Sequence, residues 1–208
     1  TYLYLAGPDW DMELAVSDME IYDHLTPAFL QSRSAHLSNA HLVVTDTNIP
    51  EASLQWLAEN CRVPLFADPV STAKAEKLRP ILGKLHTLKP NRLEAELLSG
   101  VAITDIYSAR RAAQALLDTG LRRVFLSLGA GGVLAADHNS ALHLPCPPAE
   151  MVNTTGCGDA FMAAIAWAYL EGTDLEATAR LGLAASAIAM GSAETINPAM
   201  SAAAVRSF

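Results

Sequence analysis

Gly156 and Gly158 flank a single residue, Cys157, and Asp159 follows at once. Two glycines around a small side chain allow a turn whose backbone N–H groups point one way. The apolar run from Ala160 to Leu170 is helix-compatible, and a helix starting here adds its unpaired N–H groups and the positive end of its dipole. That combination is an anion pocket. Asp159 at its mouth suits removal of a proton from a nucleophile that attacks the bound anion. The same stretch also reads as plain strand-to-helix punctuation, with Asp159 as a cap. Cys157 at a helix start is a second candidate nucleophile, as a thiolate, although no His–Asp pair accompanies it in sequence.

Two further stretches bear on that choice. Lys89-Pro90-Asn91-Arg92-Leu93-Glu94 follows a strand-like run and opens a helix. Asn91 as N-cap with Glu94 three residues on makes a capping-box variant. The same residues at the carboxyl end of a parallel strand lie where open α/β sheets bind ligands. There Glu94 could hold a magnesium ion through water, the usual mode beside nucleotide phosphates. Ser127-Leu128-Gly129-Ala130-Gly131-Gly132-Val133 joins strand to strand, so it is no dinucleotide fingerprint, but its glycines let backbone approach a nucleotide.

The elements that must position these residues alternate. Strands are expected over 41–45, 64–67, 85–88 and 123–128, with helices over 50–60, 74–82, 91–98 and 107–119 between and after them. This pattern predicts an α/β fold with a mostly parallel sheet covered by helices on both faces. Residues 132–136 and 141–144 form a hairpin, and a second hairpin joins 1–5 to 12–16 across Gly7-Pro8-Asp9. The helix from Asp159 is apolar all round and is expected at the centre. Thr173 and Glu176 suggest a capping box for a helix running to about Met190, and Asn197-Pro198 a final short helix.

The chain has 208 residues, 51% of them hydrophobic, enough for one substantial core. A net charge of −8 argues against a nucleic-acid surface or polybasic membrane contact. The longest apolar run is too short for a bilayer span. Cys61, Cys146 and Cys157 offer neither a disulfide framework nor a CxxC metal site, which points to a cytoplasmic protein. The six histidines are scattered, and His41 and His86 fall in strand runs, as core or surface residues do.

Taken together, Asn153-Thr154-Thr155-Gly156-Cys157-Gly158-Asp159, the Asn91-x-x-Glu94 pair and the Ser127–Gly132 bend resemble the PfkB (ribokinase-like) carbohydrate kinases over about 43–198. The resemblance implies a ribokinase-like fold and an ATP-dependent phosphotransferase acting on a sugar or nucleoside hydroxyl. It implies Asp159 as catalytic base, with Gly156, Cys157 and Gly158 as the anion hole. Asn91, Ser127, Gly129, Gly132, Thr155 and Asn197 would contact ATP, with Ile196 close to the adenine. Glu94 and Asn91 would place Mg2+, and the family pattern admits a monovalent cation. Within the family, residues 68–74, 86–96 and asparagine at 153 resemble a branch that phosphorylates the ribose 5′-hydroxyl of a C-nucleoside. Cys157 stands where the family usually has alanine, a tolerable change because backbone N–H groups make the hole.

The family's amino-terminal sugar-gripping segment has no counterpart in these residues. Residues 1–20 are therefore expected to be the hairpin of a lid, a partial small domain, and 21–208 the nucleotide and phosphoryl-transfer core. Tyr2, Tyr4 and Trp10 on that hairpin are candidates for a homodimer contact. On this reading the chain binds ATP but phosphorylates its substrate poorly, and a catalytically silent nucleotide-binding protein is the competing expectation.

Overall fold

The computed structural model describes residues 2–6 and 12–208. Strands β1 (Tyr2–Ala6) and β2 (Met12–Ser17) pair antiparallel with Tyr2 opposite Ser17, as expected of a hairpin. Its turn at 7–9, Trp10, and the side chains of Tyr2 and Tyr4 lie outside the described residues. A 3-10 turn (Glu20–His24) and short helices α1 (Pro27–Ser32) and α2 (Ser34–Asn39) lead into the main sheet.

That sheet alternates strand and helix: β3 (Val43–Asp46), α3 (Glu51–Asn60), β4 (Leu65–Asp68), α4 (Thr72–Ala75) and β5 (Thr87–Leu88). It continues with α5 (Arg92–Ser99), α6 (Ile106–Leu117), β6 (Arg123–Ser127), β7 (Val133–Asp137) and β8 (Ala141–Leu144). Helices α7 (Cys157–Leu170), α8 (Leu175–Met190) and α9 (Ala202–Ser207) complete the chain. The strand order β3-β4-β5-β6-β7-β8 is parallel as far as β6 and antiparallel beyond.

Strand periodicity builds a core on each face. In β6, Val124 and Leu126 point with Ala67, Leu88 and Leu134 into a layer with Leu54, Leu78 and Leu116 from the helices. Phe125 points the other way, with Phe66 and Val133, onto Phe161, Ile165 and Leu183 of α7 and α8. Phe125 and Phe161 meet edge-on with ring centroids 6.0 Å apart. The apolar circumference of α7 is explained by this seat between the sheet and α8, with Ala164 buried against a third cluster that includes Val205 of α9.

Three local expectations are corrected. The helix after Gly172 is capped by Asp174, whose carboxylate accepts from the Ala177 N–H at 2.7 Å. Thr173 instead donates its hydroxyl to the Ala168 carbonyl, ending α7, so no Thr–Glu capping box forms. The segment expected to be helical over 74–82 is one turn of α-helix followed by a 3-10 helix over Glu76–Lys84, because Pro80 has no N–H to continue an α-helical ladder. Asn197-Pro198 makes a turn, with the Asn197 side chain accepting from Ala199 N, and the last helix begins only after Ser201. Among the described residues no helix is long and apolar enough to cross a membrane.

Candidate active site

Parallel strands deliver their last residues to one edge. Asp46 ends β3, Asp68 ends β4, Lys89 follows β5, and Ser127 ends β6. The start of α7 comes over this edge from the other direction. Gly156 is its N-cap at φ 85°, and a Cβ there would lie 2.5 Å from the Thr195 carbonyl, so both backbone twist and space require glycine. Asn153 braces the loop, accepting from Thr155 N at 2.9 Å and donating to the Ala193 carbonyl at 3.2 Å. The Ser186 hydroxyl donates to the Cys157 carbonyl at 2.9 Å, tying the start of α7 to α8. The N–H groups of Gly158 and Asp159 meet no backbone acceptor among the described residues, leaving two first-turn donors for an anion.

Two cavities flank the start of α7. One, of about 570 Å³, takes Ser127, Gly129 and Gly132 from the glycine bend, Cys157 and Gly158 from α7, and apolar walls from Met151, Phe161 and Leu183. The other, of about 540 Å³, holds Asp159 with Asp46, Asp68, Val44 and Met162. Lys89 lines the first and pairs with a residue of the second. Its Nζ pairs with Asp68 Oδ2 at 3.0 Å, with side chains only 9% and 16% exposed, and it lies 3.3 Å from where a Cβ on Gly158 would be. A cation thus faces the first cavity beside the anion-binding turn, and a carboxylate faces the second.

The carboxylates differ in their surroundings. Partial burial pushes the Asp159 pKa above the ordinary aspartate range, with the Asp68 and Asp46 charges adding to the rise and Lys89 opposing it. Burial also raises Glu94, which is 2% exposed, while its hydrogen bond from Asn91 N draws it down. The Cys157 thiol is pushed up by burial as well, so the helix start does not produce a thiolate nucleophile there.

Asn91 and Glu94 form the full capping box, Glu94 N to Asn91 Oδ1 at 2.9 Å and Asn91 N to Glu94 Oε2 at 2.8 Å. Neither lines either of the two cavities described, yet Glu94 is close enough to Asp68 and Lys89 to feel both charges. Among the described residues no three His, Cys, Asp or Glu side chains could jointly enclose a metal ion. A single carboxylate of this kind is compatible in its chemistry with a hydrated magnesium ion, which needs few protein ligands.

Of the expected ATP contacts, Ser127, Gly129 and Gly132 share the first cavity with Cys157 and Gly158, while Thr155 lies in the adjoining loop. Asn197 is turned away, its Nδ2 donating to the Ile188 carbonyl at 2.6 Å, and Ile196 is exposed. Asp68 and Lys89 fall within the stretches 68–74 and 86–96 that carry the resemblance, but sequence reasoning gave neither them nor Asp46 a role of its own. Their signal is positional, a charged residue at or just after the carboxyl end of three successive parallel strands. His86 serves packing, stacked on Phe66 with centroids 5.3 Å apart and edge-on to Tyr169 at 4.7 Å.

A helix start with unpaired N–H groups, a lysine and three aspartates thus stand together at the carboxyl edge of an α/β sheet. The chain belongs to the pfkB family of carbohydrate kinases, whose family model matches residues 2–202. It is 36% identical to pseudouridine kinase of Escherichia coli over 205 residues, 98% of this chain and 66% of that protein. A carbohydrate kinase structure from Agrobacterium tumefaciens superposes with a TM-score of 0.80 at 30% identity, over 99% of this chain and 66% of that one. The structure of Arabidopsis thaliana ribokinase complexed with ribose and ATP shares the fold, with a TM-score of 0.69 at 24% identity, over 78% of this chain and 54% of that one. The chain therefore spans about two thirds of the length of its curated relative.

Proposed function

We propose that the protein transfers the γ-phosphoryl group of ATP to a nucleoside hydroxyl, the ribose 5′-hydroxyl of pseudouridine. The observation that carries this reading is the start of α7 between two cavities, Gly158 lining one with Lys89 and Asp159 lining the other with Asp46 and Asp68. The larger cavity accepts the nucleotide, its glycine bend letting the phosphates approach backbone and its apolar wall receiving the base. Asp159 takes the proton of the acceptor hydroxyl as its oxygen bonds to the γ-phosphorus and the bond to the β-phosphate bridging oxygen breaks. ADP and a phosphate monoester result. Lys89 and the N–H groups of Gly158 and Asp159 face the oxygens on which charge develops. Glu94 would hold the water shell of a magnesium ion, which would supply neutralisation of phosphate charge.

Support for a nucleoside acceptor comes from the likeness to pseudouridine kinase, and support for ATP from the ribokinase complex. The β1–β2 hairpin is read as lid, and as the surface through which two copies would pair. The test is a screen of ADP formation with pseudouridine, uridine and ribose as acceptors. Faster ADP release with pseudouridine is expected, and release that no acceptor stimulates would overturn the reading. The competing reading is nucleotide binding without turnover in the cavity lined by Ser127, Gly129 and Gly158. Calorimetric ATP binding with no acceptor-dependent ADP would select it. Asp159→Asn is expected to lower turnover by roughly 10²–10⁴-fold while ATP affinity holds; equal turnover in the two proteins would remove Asp159 as base.

A further inference from the structure

Val70 is the one non-glycine residue with positive φ among the described residues, at 62°. A β-branched side chain is poorly tolerated there, because its Cβ crowds the neighbouring carbonyl. The Pro69 carbonyl accepts from Ser71 N at 2.6 Å, closing a three-residue γ-turn of the rare positive-φ kind around Val70. Val70 is 46% exposed, so burial of its side chain does not explain the conformation.

What the turn does is visible at Asp68. The Val70 N–H donates to Asp68 Oδ1 at 3.0 Å, while Asp68 Oδ2 holds Lys89 Nζ at 3.0 Å. Pro69 restricts the preceding φ, and its carbonyl is also taken by the Thr47 hydroxyl from the loop after β3. That loop is fixed in turn: Asp46 accepts from Asn48 N at 2.9 Å, and Asn48 Oδ1 accepts from Lys74 Nζ at 2.6 Å. Strained backbone persists where its surroundings over-determine it, and here they do.

We propose that the Val70 γ-turn is a positioning element: it fixes one oxygen of Asp68 on backbone so that the other holds Lys89 against Gly158. The inference rests on the kinase reading for its purpose, since Lys89 is the cation offered to the transferred phosphoryl group. Val70 and Asp68 act through Lys89 and are positioning residues.

The test reads Lys89 directly, as the rate of Nζ acetylation by an amine reagent, followed by peptide mass spectrometry and normalised to exposed Lys84. Asp68→Asn should raise the Lys89 rate about tenfold by breaking the pair. Val70→Pro, which removes the N–H and cannot adopt positive φ, should raise it comparably. Val70→Gly and Val70→Asn keep both the donor and access to the conformation, so they should stay within about twofold of the parent. A side-chain packing role would instead make Val70→Gly the worst of the set. An unchanged rate in Asp68→Asn or in folded Val70→Pro overturns the proposal, as does a Val70→Gly rate equal to that of Asp68→Asn. If Val70→Pro does not fold, the Asp68→Asn and Val70→Gly pair decides. Saturating ATP with magnesium should protect Lys89 in the parent protein. Loss of that protection alone, with the variant pattern intact, would sink the kinase reading and leave the positioning role standing.

Discussion

At the scale of single residues, burial holds several side chains away from their ordinary ionisation. Asp159 has a raised pKa, so folding favours its protonated form. Its contribution to stability is complete below the ordinary value of 3.8 and is lost as pH rises through the folded value. At pH 7 the ionised base therefore costs stability. Asp159→Asn should melt at an equal or higher temperature than the parent at pH 7, with the difference closing below about pH 4. A lower melting temperature at pH 7 would contradict the desolvated base. His86 shows the opposite sign. Its pKa is lowered to about 4 by burial, with Arg123 and Arg122 adding to the effect. Its contribution is present above the ordinary value of 6.5 and is lost as pH falls through about 4. His86→Phe should flatten the stability-versus-pH curve across that window, as read by urea midpoints at successive pH values.

At the scale of elements, the anion-binding turn depends on a backbone shape that only glycine supplies cheaply. Alanine at Gly156 would need a φ near 85° and would bring its Cβ to 2.5 Å from the Thr195 carbonyl. We expect Gly156→Ala to cost about 1–3 kcal/mol from strained backbone alone and to weaken ATP binding more than acceptor binding. Parallel denaturant titration and nucleotide calorimetry would show whether the two losses go together. Gly132 is as constrained on the other side of the cavity, at φ 88° with a Cβ position 2.0 Å from the Leu144 carbonyl. The capping box at Asn91 and Glu94 illustrates why local sequence left two readings open. The hydrogen bonds that start α5 are real, and they also park a buried carboxylate behind Lys89 and Asp68.

At the scale of the molecule, the cavity proposed for the nucleotide is lined by the sheet through Ser127 and Val133 and by the opposite helical layer through Phe161, Leu183 and Met190. A ligand there bridges both layers and should stabilise the whole fold. At 100 times its dissociation constant, ATP would add about 2.7 kcal/mol, seen as a rise in melting temperature with magnesium present. Glu94→Gln should reduce the magnesium-dependent part of that rise, and an identical rise would argue against its role in metal placement. The cavity proposed for the acceptor opens beside β3, an edge strand of the sheet, where Val44 is 47% exposed.

The alternation of short apolar runs with helical periodicity determined the α/β class and the parallel order, because each pattern has a different spacing and neither depends on distant contacts. Glycine spacing at Gly156 and Gly158 and the Asn91-x-x-Glu94 pair were legible for the same reason: turns and caps are local. The charged edge was not. Asp46, Asp68 and Lys89 lie on three different strands, and only the parallel register aligns their ends into one site. Caps at Thr173 and Asn197 were misjudged because hydroxyl and amide side chains choose among several nearby partners, and tertiary packing made the choice. At Val70, tertiary structure overrides the residue's own preference, since a positive φ for valine is set by what surrounds it.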